Sequence, residues 1–81
     1  MKCIGYTKSS GEYEGYQYNN VNLHCIAREG DGKRSAGQLV EIHKVKADVL
    51  TKLGLKPEDM LNKEVRIMYD KYQKVTDVGV V

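Results

Sequence analysis

The chain of 81 residues is long enough for one domain, residues 1–81, and too short for two. Its content of 41% hydrophobic and 30% charged residues is typical of a globular protein and excludes a disordered chain. The net charge is only +2, so binding to a polyanion requires basic and acidic side chains to be separated in space. No segment has the apolar length of a signal peptide or a membrane span, and we expect a cytoplasmic protein without membrane contacts.

The first part of the chain predicts two strands separated by an irregular segment. Residues 2–8 alternate as a strand does, and Ser9-Ser10-Gly11 predicts a turn or a flexible loop. Residues 12–20 are rich in tyrosine and poor in aliphatic residues, which is typical of a loop or a ragged hairpin. Residues 20–28 predict a half-buried antiparallel strand, because apolar residues occupy every second position from Val21.

The second part predicts a loop, three strands and a helix. Residues 29–37 are polar and rich in glycine, which indicates a loop. The elements after it are a strand at 38–46, a short helix at 47–53 that ends at Gly54, a strand at 64–69, a hairpin turn at 70–73 and a strand at 74–81. In the connector after the helix, Pro57 is suited to begin a further helical turn.

This order of elements predicts a mainly β fold. Five short antiparallel strands with a helix between the third and the fourth are the elements of an OB-type barrel. An SH3-like barrel has a similar number of strands but usually lacks that helix. We therefore expect a five-stranded antiparallel OB-type barrel.

The residue types that carry catalysis or bind metals are few and scattered. His24 and Cys25 are neighbours in a strand and so point to opposite faces. Glu41 and His43 share a face, which we interpret as a solvated polar pair. Cys3 and Cys25 are predicted to be reduced core residues, and a disulfide is the alternative if their strands pair. No nucleophile motif, phosphate-binding loop or metal-ligand spacing is present, so we expect neither enzymatic activity nor a metal or other cofactor.

The aromatic residues are six tyrosines, with no Phe and no Trp. Because a buried tyrosine needs a partner for its hydroxyl, this composition favours rings that are half-exposed. If the alternation of the second strand extends back to residue 16, one face carries two rings, two amides, an imidazole and a guanidinium. These residues are Tyr16, Tyr18, Asn20, Asn22, His24 and Arg28. Such a row is suited to stack on bases and contact phosphates; the alternative is packing across the sheet or in a dimer interface.

Two loops add basic and aromatic residues to these candidates. Lys33 and Arg34 follow the second strand, where they either contact phosphates or are simply solvated. Tyr72 lies in the last hairpin turn between Lys71 and Lys74, where it either stacks on a base or packs locally.

Two segments carry a resemblance to a known family. Residues 15–23 (GYQYNNVNL) lead into the second strand, and residues 65–75 (VRIMYDKYQKV) form the closing hairpin. Together with the size and the order of elements, they resemble the small OB-fold single-stranded-DNA-binding proteins of phages and mobile elements, of the filamentous-phage gene V type. In such proteins, tyrosines and basic residues on hairpins contact the strand, and two copies form a dimer.

The resemblance implies nucleic-acid contacts and a homodimer. Position by position, it nominates Tyr16, Tyr18, Arg28 and Tyr72. The chain departs from the family in its explicit helix, its acidic middle segment and its low net charge. These departures count against strong cooperative coating of DNA.

Two hypotheses of function follow. The first is sequence-tolerant binding of single-stranded DNA or RNA by a homodimer, with single-stranded DNA as the first candidate. The second is a small protein-interaction or regulatory module of a phage or mobile element, whose tyrosine face contacts a protein or a second copy. A positive track through Arg28, Lys33 and Arg34 favours the first, and an apolar patch around the tyrosines and Ile26 favours the second.

Overall fold

A computed structural model describes all of residues 1–81. The strands are β1 (Lys2–Tyr13), β2 (Tyr16–Glu29), β3 (Gln38–Lys46), β4 (Lys63–Tyr69) and β5 (Val75–Val80). The helix α1 is Ala47–Leu53, and a 3-10 turn is formed by Pro57–Met60. The mainly β class and the short helix between the third and fourth strands are therefore confirmed.

β1 and β2 form one long hairpin. A hairpin within residues 12–20 was one of the two predicted alternatives, but both of its strands are longer than predicted. The predicted turn or flexible loop at Ser9-Ser10-Gly11 is wrong, because β1 continues to Tyr13 and pairs with β2 throughout. The turn consists of Glu14 and Gly15, whose φ angles are 50° and 82°. Two consecutive positive φ values are typical of the type I′ turn, whose twist matches that of the flanking strands.

All five strands belong to one antiparallel sheet with the order β3-β2-β1-β4-β5. β1 pairs with β2 along its length but with β4 only at Lys2 and Cys3. β3 and β5 are the edges, and no backbone ladder joins them. The sheet is therefore open, and the closed barrel expected from the sequence is not formed. Because α1 contacts β2 and both edge strands, side chains rather than backbone hydrogen bonds connect the two edges.

A small core lies between the inner face of the sheet and the helical segments. Its members are ten buried residues: Cys3, Val21, Leu23, Cys25, Val45, Leu50, Met60, Val65, Val75 and Val78. Cys3 and Cys25 lie opposite each other in the β1–β2 register, are fully buried and carry free thiols. They are core residues, as the sequence predicted, and no disulfide joins them.

The helical segments follow the sequence signals closely. α1 has the predicted bounds, and it ends at Gly54, whose φ of 71° is left-handed. Pro57 begins the 3-10 turn, where its missing N–H costs no hydrogen bond. Leu50 and Met60 are the buried residues that these segments contribute to the core. None of the helices combines the length and the apolar character that crossing a bilayer requires.

We predict that the fold loses stability in alkaline solution. Burial, followed by the neighbouring Cys3 thiol, raises the pKa of Cys25 from 9.0 to about 12. Because the folded chain holds this proton more tightly than the unfolded chain, the contribution is complete below pH 9.0 and is lost as the pH rises towards about 12. Partial burial also raises the pKa of Tyr69, which acts in the same direction.

Urea unfolding at neutral pH and at several values in that alkaline window measures the effect. The control is Cys25→Ala, which removes the titrating thiol. Its free energy of unfolding is expected to fall less over the same window than that of the unchanged chain. Equal losses in both proteins would contradict the role of Cys25.

Candidate nucleic-acid interface

The outer face of β1, β2 and β3, which points away from the core, carries most of the predicted row on β2. Side chains alternate along a strand, so the burial of Val21, Leu23 and Cys25 directs the even-numbered residues of β2 outwards. Residues opposite each other in an antiparallel pair share a face, so the register extends this assignment to β1 and β3. The outer-face rows are Tyr13–Tyr16, Gly11–Tyr18, Ser9–Asn20–Lys46, Thr7–Asn22–Lys44 and Gly5–His24–Ile42.

These rows contain no carboxylate. Glu12 and Glu41 belong to the same three strands but pair with Gln17 and Cys25, which places them on the opposite face. Glu29, the last residue of β2, lies beyond the register shift that follows Ile26 and is on the outer face, but at the far end of the strand and outside these rows. Within these rows the outer face therefore carries basic side chains without acidic ones, although the net charge of the chain is only +2. Lys44 and Lys46 remain as the cations of the outer face in these rows, and both are exposed.

Three tyrosines lie at the turn end of this face. Tyr13 and Tyr16 are opposite each other and are 70% and 79% exposed, which is high for large aromatic rings. Tyr18 is 44% exposed because its ring lies over Gly11 on the neighbouring strand. The absence of a side chain at Gly11 is what makes room for this ring.

The polar residues in the middle of the face are linked by hydrogen bonds. The Asn22 side-chain amide donates to the Thr7 hydroxyl at 3.3 Å, and the same hydroxyl lies 3.4 Å from Nε2 of His24. All three belong to β1 and β2, so the bonds connect the two strands across the face. Asn22 and His24 are half-buried and are held in place beside the exposed lysines.

A groove of about 520 Å³ separates the end of β3 from the β4–β5 turn. Lys44 and Lys46 line one side, together with Asn20. Lys74 lines the other side, together with Gln73 and other residues of the hairpin. Three lysines from two distant parts of the chain therefore face one opening.

The β4–β5 turn is ordered by Asp70. Its Oδ1 accepts hydrogen bonds from the backbone N–H of Tyr72 at 2.8 Å and of Lys74 at 3.0 Å. Asp70 also borders the groove, but Oδ1 of its carboxylate is already hydrogen-bonded within the turn. Tyr72 is 69% exposed, and Nζ of Lys71 lies 5.1 Å from the centre of its ring.

The placement predicted for Arg28 is wrong. The β2–β3 register shifts between Ile26 and Arg28, so Ala27 is an extra residue in β2. A bulge reverses the alternation beyond it. Arg28 therefore pairs with Leu39 and lies on the opposite face from Tyr16 and Asn22.

The structure also separates Lys33 and Arg34 from the tyrosines. They follow the far end of β2, about 40 Å from Tyr16 at ~3.3 Å per residue. Their backbone N–H groups donate to Oδ1 of Asp31, which lowers the pKa of that carboxyl. Both side chains are exposed, but they border a carboxylate and do not continue the face.

Sequence reasoning missed Lys44, Lys46 and Tyr13 as members of this surface. The alternation of β3 around the buried His43 and Val45 could have placed both lysines on one face. Only the pairing register shows that this is the face of Asn20 and Asn22. Tyr13 was assigned to a loop or ragged hairpin, whereas it is the last residue of β1.

The Glu41–His43 pair also differs from its prediction. His43 is not solvated but only 8% exposed, and its Nδ1 is hydrogen-bonded to the hydroxyl of Tyr69. Glu41 remains exposed, with Oε2 at 3.3 Å from Nε2 of His43. No three His, Cys, Asp or Glu side chains are grouped as metal ligands would be.

Comparisons with protein-family models, with curated proteins and with solved structures found no match.

We predict that the position of Tyr18 depends on Gly11. A β-carbon at Gly11 would lie 2.5 Å from the Tyr18 hydroxyl oxygen, which is closer than real contacts allow. Gly11→Ala should therefore displace the ring and change its NMR resonances. Gly5→Ala is the matched control, because a β-carbon on this glycine of the same strand and face meets no atom within 4 Å. Unchanged Tyr18 resonances in Gly11→Ala would contradict this packing.

Proposed function

We propose that this protein binds single-stranded nucleic acid on the outer face of β1–β3 and in the adjoining groove. The observation that carries the proposal is the composition of that face: its rows from Tyr13 to Ile42 contain exposed tyrosines and lysines and no carboxylate. Proteins that bind single strands without sequence preference combine stacking rings with a basic path for the backbone. Here the tyrosines lie at one end of the face and Lys44, Lys46 and Lys74 at the groove.

The strand order supports this proposal. β3-β2-β1-β4-β5 is the order of an OB-type barrel that is opened between β3 and β5. We infer that the chain is a variant of that fold. OB folds bind oligonucleotides on the face of strands 2 and 3 and with the loops that join strands 1–2 and 4–5. The tyrosine-bearing turn of β1–β2 and the Lys71–Lys74 turn correspond to those loops.

A protein-interaction module is the alternative, and one apolar patch favours it. Ile26, Val40 and Ile42 are neighbours on the outer face, and Val40 and Ile42 are 46% and 61% exposed. The patch adjoins the free edge of β3, where a second copy of the chain or another protein could pair. In this alternative the patch, and not the lysines, determines the partner.

Binding is tested first by fluorescence anisotropy of labelled oligo-dT and oligo-U, at low and at physiological salt. Tyr16→Ala should weaken binding by about 5- to 150-fold, since one stacked base contributes about 1–3 kcal/mol. Tyr16→Phe keeps the ring and should bind as the unchanged chain does. No binding of the unchanged chain even at low salt would contradict the proposal and favour the protein-interaction alternative.

The lysines are tested by the salt dependence of the same binding. Lys44→Ala should reduce the slope of log K against log salt by roughly 0.7, the value for one phosphate contact in a single strand. Lys52→Ala is the control, because Lys52 lies in the last turn of α1 and is exposed outside the groove. Equal slopes for Lys44→Ala and the unchanged chain would show that Lys44 contacts no phosphate.

A further inference from the structure

The two sides of the groove belong to parts of the sheet that no backbone ladder connects. Lys44 and Lys46 lie on β3, and Lys74 closes the turn between β4 and β5. β3 and β5 are opposite edges of the open sheet. Strand pairing therefore does not hold the turn at its distance from β3, and the packing of α1 against both edges is one of the contacts that does.

One side-chain hydrogen bond spans this gap. Nδ1 of His43 on β3 is bonded to the hydroxyl of Tyr69, the last residue of β4. The two rings are 5.8 Å apart between centroids and tilted by 48°. No other side-chain hydrogen bond joins β3 to the β4–β5 hairpin.

Both partners of this bond are adjacent in sequence to the groove. His43 directly precedes Lys44, and Tyr69 directly precedes Asp70. Asp70 in turn accepts hydrogen bonds from the backbone N–H groups of Tyr72 and Lys74, so the residue that orders the turn directly follows Tyr69. The His43–Tyr69 bond is therefore one residue away, on each side, from a residue that lines the groove, and its loss is expected to shift both sides of the groove.

The surroundings of His43 favour one direction of this hydrogen bond, from the Tyr69 hydroxyl to Nδ1 of His43. His43 is buried, and its Nε2 has no hydrogen-bond partner of good geometry, although Oε2 of Glu41 lies 3.3 Å away. A proton on Nε2 faces this carboxylate and leaves Nδ1 to accept from the Tyr69 hydroxyl. Burial and the charge of Glu41 raise the pKa of Tyr69, which keeps the hydroxyl as a donor.

We propose that the His43–Tyr69 hydrogen bond positions the β4–β5 turn against β3 and thereby sets the width of the groove that binds nucleic acid. Tyr69 and His43 are positioning residues: they contact the elements that carry Lys44 and Lys74, not the ligand. That this groove binds nucleic acid rests on the proposed function. That the hydrogen bond positions the β4–β5 turn applies to the free protein and is tested without any ligand.

The first measurement is amide hydrogen exchange of the free protein. Tyr69→Phe keeps the ring and removes the hydroxyl, and it should speed exchange at the N–H groups of Tyr72 and Lys74. The N–H of Val65, which donates to the Met1 carbonyl at the β1–β4 junction, should keep its protection. Tyr6→Phe is the matched control, because Tyr6 is half-buried against the core and its hydroxyl has no hydrogen-bond partner.

The second measurement is oligo-dT affinity in a double-mutant cycle. Tyr69→Phe should weaken binding by roughly three- to tenfold, the range that corresponds to one hydrogen bond. Because Tyr69 acts through the turn, Tyr69→Phe should add little when Lys74 is already replaced by alanine. Tyr6→Phe should leave the affinity unchanged.

The outcomes separate this inference from the proposed function. If the unchanged chain binds oligo-dT and Tyr69→Phe binds equally well, the positioning role is overturned while nucleic-acid binding stands. If the unchanged chain does not bind, the proposed function fails. Faster exchange in the turn of Tyr69→Phe would still support the positioning of the turn by the His43–Tyr69 hydrogen bond. Equal exchange of the Tyr72 and Lys74 amides in Tyr69→Phe and Tyr6→Phe would overturn the positioning role of this hydrogen bond. Should Tyr69→Phe fail to fold, His43→Phe removes the same bond from the other side and is judged by the same measurements.

Discussion

The architecture depends on the short junction at which β1 pairs with both of its neighbours. Lys2 and Cys3 are the only residues of β1 in the β4 ladder, although β1 pairs with β2 throughout. Two hydrogen bonds of 2.7 Å reinforce this point, from the Asn62 N–H to the Cys3 carbonyl and from the Val65 N–H to the Met1 carbonyl. The side chain of Cys3 is fully buried there. Because backbone pairing joins the two hairpins only at this end, a groove can form between β3 and the β4–β5 turn, where no ladder connects them.

The pairing register also explains how a chain of low net charge presents a basic surface. Strand alternation directs Glu12 and Glu41 to the inner face, while Lys44 and Lys46 point outwards. The β1–β2 hairpin extends beyond the core, since none of residues 8–20 is buried. Rings in this extension contribute little to the core, so their exposure is compatible with contacts to a ligand. Stability and the proposed binding therefore depend on different parts of the same two strands.

Several features of this protein were determined by the sequence alone, because they depend on neighbours along the chain. The alternation of residues 20–26 identified the buried face of β2, and so placed Tyr16, Tyr18 and Asn22 on the other face. The helix at 47–53 and its end at Gly54 followed from local helix signals. Five strands with one helix were correctly expected, and these elements determine the mainly β class.

Tertiary structure alone decided how these elements meet. A bulge depends on the partner strand, so the alternation of β2 gave no sign that Ala27 would turn Arg28 to the other face. The strand register brings Lys44 beside Asn22, two residues that are 22 positions apart in the chain. The His43–Tyr69 bond joins residues 26 positions apart, and no local pattern marks such a pair. Sequence periodicity reports which way a side chain points, whereas pairing between distant segments determines which side chains share a surface.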